Sequence, residues 1–74
     1  MKNDKIILGI YEHYKGNRYE VLGEVTHSET MERLVLYKAL YGERGLWVRP
    51  KEMFQETVIV DSQEKKRFAY IGKA

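Results

Sequence analysis

The sequence contains no cysteine. A disulfide framework and any thiolate zinc site are therefore excluded, and a reducing cytoplasm is the expected location. Only one proline occurs in 74 residues. No Pro/Gly/Ser-rich linker, repeat or low-complexity tract divides the chain. A single domain over residues 1–74 is expected, with its core at about 8–71 and short flexible termini. No apolar run approaches the length of a membrane span, so no membrane partner is expected. The opening "MKNDKIILGIY" also lacks the apolar core and cleavage site of a secretory leader. Charge of one sign is scarce as well. Thirteen basic and eleven acidic residues leave a formal net charge of +2, too small an excess to argue for nucleic acid alone. The one dense basic run, Lys65–Arg67, reads as a solvated tail or edge strand.

What the chain does have is aromatic residues, including six tyrosines and one tryptophan. Tyrosine suits half-buried strand positions, where the ring packs and the hydroxyl stays wet. A core in so short a chain is small and leaves only a few kcal/mol of stability. Good packing, a closed sheet or a partner subunit must supply the rest.

"KGN", Lys15–Asn17, reads as a tight hairpin turn after "GIYEHY". In the strand that follows, Tyr19, Val21, Gly23, Val25 and His27 alternate with Arg18, Glu20, Leu22, Glu24 and Thr26. This period of two gives one apolar and one charged face. Leu22 breaks the pattern, and Gly23 in mid-strand suggests a bulge or sharp bend.

The stretch "VTHSETMERLVLYKALYG", Val25–Gly42, admits two readings. As a helix, Ser28 or Thr30 caps it and Gly42 ends it. As a hairpin, a strand ends at His27, "SET" turns, and a second strand starts at Arg33. The apolar residues Leu34, Val35, Leu36, Tyr37, Ala39, Leu40 and Tyr41 would wrap most of a helix circumference, which a domain of this size cannot bury. Strand, turn, strand is therefore expected.

"GERG", Gly42–Gly45, is a further turn, and Pro50 should end the next strand by Arg49. "PKEMFQE" reads as one helical turn with Met53 and Phe54 entering the core. "TVIVD" and "RFAYIG" read as strands separated by a polar turn at Ser62–Lys65. The expected fold is all-β. Five to six short antiparallel strands would form a small, SH3-like, partly open barrel, with one 3₁₀ or short helical turn near Pro50–Glu56.

"GIYEHYKGNRYEVLG", "HSET", "LVLYKALYG" and "LWVRPKEMF" together resemble a small bacterial family of unknown function, DUF1653, from about Gly9 to Phe54. Lys38 stands where that family often has arginine, which keeps the charge but loses the bidentate fork. The resemblance implies a compact β-rich domain of SH3-like character and no settled activity.

Candidate functional residues are few. His13 and His27 are the only histidines and lack any close ligand spacing, so no metal site or cofactor is expected. A hydrolytic reading would use His13, His27 and Glu29, with Ser28 nearby, but neighbouring positions in sequence do not supply the hydrogen-bonded geometry that such chemistry needs. The alternative for "HSET" is a self-bonded turn in which Ser28 and Thr30 serve their own backbone. If Leu46 and Val48 face the core, Trp47 and Arg49 share the outer face as a stacking and anion-holding pair. The leading expectation is a non-enzymatic module, monomeric or weakly dimeric. It would bind a protein, peptide or nucleic acid through His13, His27, Ser28, Glu29, Thr30, Lys38, Trp47 and Arg49.

Overall fold

A computed structural model describes residues 5–74, and the expectation of a flexible N-terminus falls partly outside that range. Seven strands and one short helix follow in the order β1 (Gly9–His13), β2 (Arg18–Thr26), β3 (Arg33–Ala39), β4 (Leu46–Pro50), α1 (Lys51–Phe54), β5 (Thr57–Val60), β6 (Gln63–Lys66) and β7 (Phe68–Gly72). Five of the strands form one antiparallel sheet ordered β4-β3-β2-β1-β7, and β5 and β6 form a separate hairpin. The fold is mainly β and antiparallel, as expected. The large sheet is not closed into a barrel, because β4 and β7 are edges with no further strand paired to them among the described residues.

Local chemistry accounts for the turns. Gly16 adopts φ 107° between β1 and β2, where His13 donates its backbone N–H to the Asn17 carbonyl at 2.8 Å. The ambiguous stretch Val25–Gly42 is strand, turn, strand: β2 pairs with β3 from Tyr19↔Ala39 to Thr26↔Arg33. Two boundaries differ from expectation. Pro50 is the last residue of β4, opposite Leu34, which is tolerated because β4 is an edge strand. It therefore precedes α1 as its N-cap instead of starting it. The turn before β6 is only Asp61–Ser62, with φ 51° and 65°. These left-handed residues reverse the chain in two positions, so Gln63–Lys66 is strand where a polar turn was expected.

A bulge in β2 sets which side chains face inward. Val21 pairs with Tyr37 and Gly23 with Leu36, which leaves Leu22 as the extra residue. Beyond it the alternation inverts. Glu24 pairs with the fully buried Val35 and so turns to the inner face, where an unbroken period of two would have put Val25.

The inner face holds the core of Tyr11, Val21, Val35, Tyr37, Phe54 and Phe68. Phe54, on the single helical turn, is 1% exposed and stacks on Phe68 with ring centroids 4.2 Å apart and planes at 5°. Met53 stays on the surface, at 43% exposure, contrary to expectation. A four-residue helix can aim only one side chain squarely at the sheet.

Candidate functional site at the inner face

The register of β3 and β4 decides where the aromatic and basic residues go. Tyr37 lies opposite Trp47, and Val35 opposite Arg49. Trp47 and Arg49 therefore share the inner face with the core, and Leu46 and Val48 point outward at 62% and 52% exposure. This reverses the expected phase. A strand with apolar residues on both sides gives no clue in its alternation as to which side meets the core.

Curling brings the two edge strands together through side chains. The Arg49 guanidinium of β4 lies 5.6 Å from the ring centroid of Phe68 on β7, within cation–π range. Its Nε also reaches the Tyr37 hydroxyl at 3.4 Å, a long contact. No carboxylate stands within ion-pair distance of Arg49 among the described residues.

His13 approaches Phe68 edge-on at 4.9 Å. Burial holds its pKa below the ordinary value of 6.5, helped by the positive charges of Arg49, Arg67 and Lys15. Its Nδ1 accepts the Lys15 backbone N–H at 3.1 Å, a bond that only a ring unprotonated at that nitrogen can make. Arg67 holds Glu56 through Nη2 at 2.9 Å, and its buried Nε has no hydrogen-bond partner among the described residues.

Tyrosines extend this basic cluster. Tyr19 meets the rings of Tyr37, Tyr41 and Phe68 edge-on at 5.3, 5.6 and 5.5 Å. Its hydroxyl shares a 2.8 Å hydrogen bond with Tyr41. Burial, with that bond, pushes the Tyr19 pKa up to about 12. Trp47 is 59% exposed beside this group, with its indole Nε1 3.6 Å from where a Cβ on Gly45 would sit. The result is a patch with half-buried cations, aromatic walls and an exposed tryptophan at its rim. It can stack on a planar or apolar group and hold an anion.

The remaining expected residues lie elsewhere. Lys38 is on the outer face, in register with Glu20 and Leu46. His27, Ser28, Glu29 and Thr30 occupy the β2–β3 tip. Trp47 sits opposite Tyr37, four positions along β3 from Arg33, roughly 13 Å at the rise of a strand. The tip is a self-bonded turn. His27 Nδ1 accepts the N–H groups of Glu29 and Thr30 at 3.1 and 3.3 Å, and Thr30 Oγ1 accepts that of Glu32 at 3.2 Å. The local bonds come from His27 and Thr30, not from the expected pair Ser28 and Thr30. Ser28, Glu29 and Thr30 are exposed.

The hydrolytic reading loses its geometry here. His13 and His27 lie at opposite ends of β2, a nine-residue strand. No group of three or more His, Asp or Glu side chains is placed to hold a metal among the described residues. No helix among them is long and apolar enough to cross a membrane.

Tyr19, Tyr37, Tyr41, Phe68 and Arg67 are the site residues that sequence reasoning missed. Tyr19 alternates with charged neighbours and was visible as an inward residue. Phe68 and Arg67 reach the patch only through the pairing of β7 with β1, a long-range contact with no local signal.

Comparison with known proteins adds family and fold. Residues 9–70 match the family model described as "Protein of unknown function (DUF1653)". A crystal structure of a DUF1653 protein from Bordetella bronchiseptica is similar to this chain, with a TM-score of 0.86 and 37% sequence identity. The match covers 93% of this chain and 91% of that one. Among curated proteins, none matches.

Proposed function

The chain belongs to the DUF1653 family, and we propose that it is a non-enzymatic binding module of SH3-like character whose Trp47–Arg49 patch takes an acidic segment of a partner protein. One observation carries this reading. Arg49 is half-buried over an aromatic ring, has no carboxylate partner among the described residues, and lies two residues from an exposed tryptophan on the same face of an open-edged strand. A desolvated arginine without a counter-ion favours an incoming carboxylate, and tryptophan beside it supplies apolar contact. The formal net charge of only +2 fits a local anion better than a polyanion. The module acts in the cytoplasm, as a monomer or weak homodimer.

Titration of the folded protein with the blocked dipeptide acetyl-Asp-Phe-amide, too short to add a strand to a sheet edge, tests this. Trp47→Ala and Arg49→Ala should each weaken binding about tenfold or more while the fold persists. Equal binding by both variants would remove the patch from the account. Exposed Trp47 and Tyr41 favour a second reading, single-stranded nucleic acid stacked on their rings. An oligothymidylate bound with a steep loss of affinity in salt would support it, and a flat salt response would exclude it.

A further inference from the structure

The other edge of the sheet carries a different opening. β7 pairs with β1 on one side and, among the described residues, has no strand on the other. Its outward N–H and C=O groups therefore have no ladder partners. Two hollows flank this edge and share Lys66 and Ala69 as common borders. The first, of about 420 Å³, is walled by Tyr11, Phe54, Phe68 and Tyr70, and no carboxylate lines it. The second, of about 470 Å³, lies toward Tyr14 and is bordered by Lys65 as well as Lys66. Its one acid, Glu12, faces Arg18 at 3.9 Å. Neither Lys65 nor Lys66 forms an ion pair among the described residues.

We propose that the β7 edge docks an extended segment of a partner protein in which apolar residues alternate with acidic ones. Three observations converge on that chemistry. An open strand edge offers main-chain hydrogen bonds to an added strand. An aromatic hollow beside it accepts one apolar side chain. The lysines between the hollows suit carboxylates on the neighbouring positions, which a strand's period of two directs to the other side. A second copy of this chain fits less well, because its own extended runs place Lys65, Lys66 and Arg67 together, like charge against like.

This inference stands apart from the Trp47–Arg49 reading, and its test separates the two. The probe is acetyl-Glu-Leu-Glu-Leu-Glu-amide, titrated into isotope-labelled full chain and followed by amide chemical shifts. Shifts should centre on residues 65–72, and alternate amides of β7 should exchange more slowly with solvent. Two further probes carry N-methyl groups on one alternate set of amides or the other. One of them, and not the other, should lose at least tenfold in affinity, because an added strand turns only one set toward β7. The Lys65→Glu, Lys66→Glu double variant should also bind at this edge at least tenfold more weakly, and Trp47→Ala should leave the shifts at residues 65–72 unchanged. No binding at millimolar peptide, equal binding by all the N-methylated probes, shifts confined to Trp47 and Arg49, or self-association of the chain in place of peptide binding would each overturn the proposal.

Discussion

The Arg49 guanidinium and the Phe68 ring meet at 5.6 Å, although they belong to strands at opposite edges of one sheet. No backbone ladder joins those edges, so side chains do. Replacing Arg49 by alanine should lower stability by about 1 kcal/mol through the lost cation–π and stem contacts. Lysine should restore part of it, since it keeps the charge and loses the planar fork. Urea unfolding of the three proteins checks the order.

Glu24 ties three elements together. Its Oε2 accepts the Ile6 backbone N–H at 2.8 Å, and its Oε1 meets Arg33 at 3.1 Å and Lys51 at 3.2 Å. The Ile6 bond, then the two cations, outweigh burial and hold its pKa below the ordinary value of 4.5. A folded-state pKa that is depressed contributes stability above the unfolded value and loses it as pH falls through the folded one. Glu24→Gln should therefore cost on the order of 2 kcal/mol at neutral pH and flatten the acid limb below pH 4.5. Denaturant midpoints from pH 7 to pH 3 measure both effects.

His13 titrates in a higher window with the same direction of loss. Its pKa is lowered by burial first and by the neighbouring cations second, so the unfolded chain takes up the proton more readily. Stability present at high pH should fall as pH drops below the unfolded value of 6.5. His13→Gln should remove that slope, and thermal melts between pH 8 and pH 5 read it directly.

Phe54 contacts Tyr11, Tyr37 and Phe68 from a helix of one turn. Phe54→Ala should cost about 3–5 kcal/mol. A domain of this length holds about 4–11 kcal/mol in total, so much of the variant should be unfolded at 37 °C. Near-ultraviolet circular dichroism would show the loss of the aromatic signal.

His27 caps a turn by accepting two backbone N–H groups. His27→Ala should cost about 1 kcal/mol, with Asn recovering part of it through a shorter acceptor. Neither change should alter ligand binding at Trp47, which a peptide titration of both variants can establish.

Much of the fold was legible in the sequence because short-range chemistry wrote it. Glycine at the β1–β2 turn, alternation in β2, and an apolar set too broad for a helix at Leu34–Tyr41 each depend on near neighbours. The misreadings share a cause. Asp61–Ser62 makes a two-residue turn without glycine, and the Leu22 bulge inverts the phase for Glu24. Both are backbone events that composition barely marks. The site was legible only in part. Trp47, Arg49 and His13 do fall on one face, because alternation fixes which residues share a side. Which side that was, and that Phe68 would meet them, depended on strand order. The "HSET" tip looked reachable and is, but the His27 and Thr30 side chains are occupied with holding the turn.

The β5–β6 hairpin has most of its contacts with itself, and Ile59 at its centre is 71% exposed. An isolated two-stranded hairpin is marginal in water. The domain therefore runs on two clocks. Amides of β5 and β6 exchange whenever the hairpin opens, but those of Val21 and Val35 wait for the whole sheet to come apart. A protease that cleaves after lysine would find Lys65 and Lys66 on the faster of the two, with the core still folded behind them.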